Sequence, residues 1–289
     1  TLSPSSAASD VYKRQTNNSK QTSQDSSNGW SVGGHISLGK DTGIGVQGSG
    51  YASKGNADGE TTEYVNTRVN AHDNLSLSSG RDTVLSGAQA LGDKITANVG
   101  RDLTLTSLQD TDDYQSRQQS ISGGFSLTFG SMTGSASLSM NKAKTRSEYA
   151  SVGDQSGLFA GNQGYDIYVG DHTQLNGAVI ASTADAANNS LNTGTLGWDD
   201  IQNKANYSAS SVGVSAGFSS SQEKGKERHN AGGVLPVMAS DSGSASGTTR
   251  SAVADGNVTV RNNGEQTQDV GTLSRDTDNA NGHIDKIFD

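Results

Sequence analysis

A six-residue phrase returns in this chain at a fixed step, and that recurrence restricts the possible folds more than any other feature. Gly80-Arg81-Asp82-Thr83-Val84-Leu85 comes back as Gly100-Arg101-Asp102-Leu103-Thr104-Leu105, 100 − 80 = 20 residues later. Each copy leaves a polar glycine turn for a short alternation of apolar and polar side chains, the mark of a strand with one buried face. A third such run, Lys94–Val99, lies between them. A unit this short cannot bury its apolar side alone and must stack on the next copy, which is the logic of a solenoid. About twenty residues at roughly 3.3 Å per extended residue make one circuit of a parallel β-helix. Leucine-rich repeats share the period, but their L-x-x-L-x-L frame and helical returns are missing. The expected core is Leu75, Leu77, Val84 or Leu85, Ile95, Leu103 and Leu105, since alternation allows only one of the adjacent pair to face fully inward.

Composition alone points the other way. Hydrophobic residues make up 30% of the 289-residue chain and aromatics 5%, with 37 Gly against 2 Pro. Leu, Ile, Val and Phe together fall below a fifth, as in disordered chains. Against disorder stand a net charge of only −9 and the strict period-2 placing of the scarce apolar residues. A solenoid reconciles the two, because a thin core needs few large side chains. The absence of Cys excludes disulfides and thiolate metal sites. No apolar run is long enough for a transmembrane helix. The acidic balance, with no basic stripe along the sequence, argues against a nucleic-acid partner. No apolar h-region marks a signal peptide, so an exported chain of this kind is expected to come from inside a longer protein.

A longer repeat overlies the short one. Gly80–Ala88 aligns with Gly170–Ala178, 170 − 80 = 90 residues on, and Gly33-Gly34 aligns with Gly123-Gly124 at the same offset. Between the coil phrases lie hairpin patterns. Trp30, Val32, Ile36 and Leu38 alternate with Ser31, Gly33, His35 and Ser37; Lys40–Gly43 is the expected turn, and Ile44 and Val46 begin the return. Ile121, Phe125, Leu127 and Phe129 alternate with Ser, Gly and Thr, Gly130–Gly134 turns the chain, and Ala136, Leu138 and Met140 return. A third arm carries Val212, Val214, Ala216 and Phe218, after which Pro236 argues against an inner strand. Val258–Val260 reads as a last strand, and Ser274 as the cap of a short helix toward Ile287 and Phe288. The expected class is therefore all-β: a parallel β-helix-like solenoid with protruding amphipathic β-hairpins and polar, partly disordered ends. Residues 1–28 are expected to be disordered, with 1–15 matching nothing that follows and reading as a translated sequencing artefact, the alternative being a disordered native linker. Residues 29–220 form the repeat region in units of 90 or so, and 221–252 a low-complexity linker.

The phrases from Asp58 to Ser120 and from Tyr149 to Ser182 resemble the second haemagglutinin-repeat region of filamentous haemagglutinins, above all of contact-dependent growth-inhibition exoproteins. Gln268–Asp289 is similar to the stretch that follows those repeats, so 253–289 is read as a segment leading to the pretoxin and toxin domains. The resemblance implies a non-enzymatic structural and delivery fragment of a large secreted protein of the Gram-negative cell surface. It also implies the partners: an outer-membrane transporter of the two-partner secretion system, a toxin domain in cis, and the outer membrane of the target cell. An adhesin filament without a toxin is the alternative. On the delivery reading the hairpins lie against the solenoid in the stored filament and rearrange in the target membrane; the alternative, which spacing alone favours, is that they simply cover solenoid edges. Ile121, Phe125, Leu127, Phe129 and Leu138 are then the membrane-interaction candidates.

His35, His72, His172, His229 and His283 are scattered without H-x-x-x-H or H-E-x-x-H spacing, so no metal or other cofactor is expected. The run Asp276–Gly282 is acidic like a calcium loop but lacks Gly at the sixth position and Glu at the twelfth, and reads as a solvated turn. There is no G-x-S-x-G elbow. Asp82 and Asp102 could mimic the clustered carboxylates of a polysaccharide-cleaving β-helix, but their origin in a repeat makes them turn residues. The purified chain is accordingly expected to turn over neither glycans nor nucleotides; turnover abolished by substituting Asp82 or Asp102 would refute this.

Overall fold

A computed structural model describes residues 10–13, 15–37, 43–223 and 226–287. In chain order the strands are β1 (Asp10–Lys13), β2 (Gln15–Ser37), β3 (Gly43–Val65), β4 (Thr67–Asn70), β5 (Asn74–Ser79), β6 (Thr83–Ser86), β7 (Ala88–Val99), β8 (Leu103–Thr106), β9 (Gln109–Phe129) and β10 (Thr133–Val152). They continue with β11 (Gly157–Asn176), β12 (Val179–Ser182), β13 (Ser190–Asp199), β14 (Ile201–Glu223), β15 (Lys226–Thr249), β16 (Ala252–Val253) and β17 (Asn257–Val260). They divide into two assemblies: a parallel stack of short strands and an antiparallel sheet in the order β15-β14-β10-β9-β3-β2. The fold is all-β, as the sequence predicts.

The stack is the solenoid. Each coil contributes three short segments, and residues in the same place on successive coils pair in parallel. Leu85 pairs with Leu105 and Leu105 with Leu175; Leu77, Ala97, Ile167, Leu191 and Val258 form another column. These columns are the core, and Ile95, Leu105, Ile167 and Leu175 are fully buried. Of the adjacent pair Val84 and Leu85, Leu85 takes the inside place. Tyr165 is also wholly buried; its hydroxyl donates to the Ala254 carbonyl at 2.9 Å, and burial pushes the phenol pKa up to about 12.

The Gly-Arg-Asp phrase builds one corner. The carbonyl of Arg81 accepts from the Arg101 amide, and that of Arg101 accepts from the Asp171 amide, each at 2.7 Å. Gly80, Gly100 and Gly170 stack so closely that a Cβ on Gly100 would sit 2.3 Å from the Gly80 carbonyl oxygen, and one on Gly170 2.0 Å from that of Gly100. Only glycine tolerates this approach. Gly87 and Gly177, matched by the longer repeat, turn the chain at φ 59° and 56°, the left-handed region.

The longer repeat has a simple cause. Asp82 bonds to Asp102 across a step of 20 residues, whereas Asp102 bonds to His172 across a step of 70. The difference is a hairpin inserted between coils. One hairpin plus two coils makes the unit of about 90 residues. The points of exit and return are pinned alike: the Ser156 hydroxyl accepts from the Ala88 amide at 3.1 Å, and the Ser251 hydroxyl from the Ala178 amide at 3.3 Å. Ser107, buried at the exit of the second hairpin, donates to the Gly177 carbonyl at 2.6 Å and accepts from the Ser156 amide at 2.8 Å.

Several expectations need correction. The hairpins are about twice as long as their apolar arms, because the polar runs below those arms continue the same strands. Gln15–Asn28, expected to be disordered, is the lower part of β2 and pairs with Ala52–Val65. Asp10–Lys13 pairs with β6, so part of the stretch excluded as artefact adds a strand to the solenoid. The expected linker at 221–252 is largely β15, the edge strand opposite β14, and Pro236 sits in it. An edge strand exposes one row of amides to solvent, which is where proline is tolerated. Among the described residues no helix follows Ser274, whose backbone instead bridges to Ala252 and accepts from Val253. The turn expected at Lys40–Gly43 lies outside the described residues except for Gly43, as do Leu38, Phe288 and residues 1–9.

Core stacking makes Leu105 the sharpest test. Leu105→Ala should lower unfolding free energy by about 2–5 kcal/mol, read as a shifted thermal midpoint. Leu105→Asp should unfold the local coil, because an unpaired buried carboxylate has no partner there.

Candidate functional site

The antiparallel sheet sets the candidate surface. In such a sheet, residues directly opposite one another lie on the same face. The register therefore converts sequence alternation into rows. One row is Val32, Gly48, Phe125, Ala136 and Phe218; the next toward the solenoid is Trp30, Gly50, Gly123, Leu138 and Ala216. Below it come Ala52, Ile121, Met140 and Val214. The other face at the same height carries Ser31, Ser49, Gly124, Ser137 and Gly217. There Ser31 and Ser49 join by their hydroxyls at 2.8 Å, and His35 Nε2 lies 3.0 Å from Thr128 Oγ1.

The apolar face is open. Ile121 is 40% exposed, Phe125 48%, Leu127 48%, Phe129 60% and Leu138 47%. The structure thus gathers all five sequence-predicted residues onto one surface, and adds Trp30, Ile44, Val46, Met140, Val214 and Phe218. It does not lay them on the solenoid: the long strands pair with one another, and the expected packing against the stack is absent among the described residues. The glycines of this face have a packing role at Gly48, where a Cβ would lie 2.8 Å from the Phe125 ring. Phenylalanine covers the backbone that glycine leaves bare.

At its base the sheet is held from the small polar face by the chain's last described residues. Asn203, nearly fully buried, is the hub. Its amide donates to Thr249 Oγ1 and to the Gly282 carbonyl, both at 2.8 Å, and its carbonyl oxygen accepts from the Val152 amide at 3.1 Å. The strand-like tail then crosses β14, β10 and β9. Ile284 donates its amide to Ser151 Oγ at 3.0 Å and accepts from the Tyr149 hydroxyl at 3.0 Å, and Lys286 Nζ reaches Asp112 Oδ2 at 2.7 Å. Gln266 and Gln268 close the solenoid's exposed edge by imitating a strand: each side-chain amide exchanges two hydrogen bonds with the backbone of Leu196 or Trp198, at 2.7–2.9 Å.

Asp82 and Asp102 are ladder residues. Asp82 Oδ1 accepts from Arg101 Nε at 2.7 Å and its other oxygen from Arg101 Nη2, while Asp102 Oδ1 accepts from the His172 amide at 3.1 Å. The Arg101 guanidinium holds the Asp82 carboxyl below its ordinary value and Asp82 raises Arg101 in turn. A carboxylate tied in this way is a poor general acid. Among the described residues no three His, Asp or Glu side chains converge as a metal would need.

Comparison with known proteins supplies the family. Residues 5–121 match the haemagglutinin repeat. The chain is 61% identical over 95% of its length to the tRNA nuclease CdiA of Yersinia mollaretii, and 47% identical over 98% to the toxin CdiA of Escherichia coli. It is 43% identical over 94% to the deoxyribonuclease CdiA of Dickeya dadantii. The chain belongs to the haemagglutinin-repeat family of contact-dependent growth-inhibition exoproteins. It spans 9% of the length of the first two of these relatives. No solved structure matches it.

In this segment of a growth-inhibition exoprotein, Asn203 and the glutamine caps were missed by sequence reading, because single amides in a polar chain carry no periodic signal. Asn203→Ala strips a partner from Thr249 Oγ1, the Gly282 carbonyl, the Val152 amide and the Gln109 side-chain amide, at about 1–3 kcal/mol for each polar group left buried and unpaired. It should speed amide exchange at Val152 and in 281–287, read by hydrogen–deuterium exchange, while the solenoid columns stay protected. Unchanged exchange of the tail would refute the hub.

Proposed function

We propose that this chain is a delivery segment of a contact-dependent growth-inhibition exoprotein. The solenoid continues the surface filament, and the antiparallel sheet engages the outer membrane of the target cell to let a toxin carried further along the chain pass. The carrying observation is the two-faced distal half of the sheet. One face is aromatic and aliphatic and lies open to solvent; the other is mainly serine, glycine and threonine on the five strands from β2 to β14, with His35 and Tyr51 among them, and only the edge strand β15 adds aliphatic residues there, Leu235 and Val237. A soluble protein rarely leaves so large an apolar surface bare unless something binds it. From Ile121 to Phe129 the strand rises about 27 Å, close to the roughly 30 Å of a bilayer's hydrocarbon core. Strands that meet lipid on one side and a polar interior on the other show this alternation.

The relatives' names support the general setting: toxins and nucleases whose full chains far exceed this segment. On that reading the segment itself is not the catalyst, and the protein is secreted to the surface of a Gram-negative cell through a two-partner transporter. The open sheet has six strands whose outer edges, on β2 and β15, are free to pair once inserted.

Replacing Phe125, Leu127 and Phe129 together with Asp in the full-length exoprotein is the test. Surface display should persist and toxin entry into target cells should fall to background. Undiminished delivery would make the sheet structural cover and favour an adhesive role.

A further inference from the structure

Directly below the apolar rows, the same face carries a cationic band that no single stretch of sequence contains. Lys54, Gln119 and Lys142 share one row, and Arg117 and Lys144 the next. All four cations are exposed. No carboxylate interrupts these two rows on β3, β9 and β10; the first, Asp58, stands one row nearer the solenoid, followed by Glu60, Asp113 and Glu148. The opposite face at the band's height carries Ser53, Gly55, Gln118, Ser120, Asn141 and Ala143, and on β2 Ser27 and Asp25: no cation, and one carboxylate. The order along one face is therefore apolar, then cationic, then a mixed row of Asp58 and Arg146 followed by the acidic row, and at the band's height the cations occur only on the side that bears the apolar rows.

The boundary between the first two zones is also concave. An open groove there is lined by Ile121, Met140, Val212 and Val214, with Lys54 and Lys142 at its solenoid end. Lys54 and Lys142 stand two strand spacings apart, roughly 10 Å. An acyl chain lying along the aliphatic floor would bring its headgroup phosphate between the two ammonium groups.

Resting on the membrane reading above, we infer that Lys54, Arg117, Lys142 and Lys144 form a collar that binds anionic phosphates of membrane lipid headgroups. The collar halts the sheet at a set depth, with the apolar rows in the hydrocarbon and the acidic rows held outside. Long cationic side chains at the edge of an apolar zone reach the headgroups while their stems stay in contact with it. Anionic lipid attracts such a cluster additively, and salt screens the attraction. The opposite face offers no cation at this height and carries the Asp25 carboxylate, so the sheet enters with one defined side toward anionic lipid.

Flotation of the 289-residue chain with phosphatidylcholine vesicles and with mixed phosphatidylcholine–phosphatidylglycerol vesicles tests the collar. Binding to the mixed vesicles should be at least about tenfold tighter at low salt, and high salt should remove the difference. Lys54→Gln, Arg117→Gln, Lys142→Gln and Lys144→Gln combined should lose the preference yet bind phosphatidylcholine as before. The Lys→Arg triple variant at 54, 142 and 144 should keep it. If the fourfold variant fails to fold, Lys54→Gln with Lys142→Gln gives the same comparison at smaller amplitude. Equal binding of the unaltered chain to both vesicles overturns the collar and leaves the apolar face standing. Binding to neither overturns the membrane reading and the collar with it.

Discussion

Coil-to-coil hydrogen bonding in register is the interaction on which the rest of the molecule depends. A coil of about twenty residues has too little apolar surface to stand alone, so each acquires its core from the coils above and below. Register decides everything in such a stack. A slip of one residue would turn Leu77, Leu85 and Leu105 outward and bring polar neighbours in. Two devices hold it. The glycines at 80, 100 and 170 let the corner backbones touch, and the carboxylates of Asp82 and Asp102 tie each corner to the next amide.

The same register explains how a thin solenoid supports a long sheet. Hairpins leave and return at one place on the coil, so three of them emerge side by side and pair into a single antiparallel sheet. Serine hydroxyls at the return points replace backbone partners that the departing chain no longer supplies. The tail bound through Asn203 ties the base of the sheet on its small polar face. Beyond that base nothing among the described residues covers the apolar face. Its exposure is thus a consequence of topology: the strands are paired along their length, while their outer surface is left open.

Electrostatics follow the same geometry. Lys54, Arg117, Lys142 and Lys144 come from three strands widely separated in sequence, and alternation places each on the apolar side. An acidic chain thereby carries a local cationic band, which net charge conceals.

Much of the fold was legible in the residues themselves. Period-2 alternation in Ile121–Phe129 and Leu103–Leu105, together with glycines recurring at fixed steps, determined strands, stacking and the inside of each coil, because local sterics and burial act on neighbouring residues. The lower halves of the hairpins were legible in principle, since Lys142–Tyr149 alternates charged with small or buried side chains, yet polar alternation carries no hydrophobic signal and was passed over. Glutamines acting as a strand edge, Asn203 as a hub and the cationic band had no local signature at all. Those were decided by tertiary structure alone, since only pairing between distant strands brings Lys54 into one row with Lys142 and lays Phe125 over Gly48 with its outer side open to solvent.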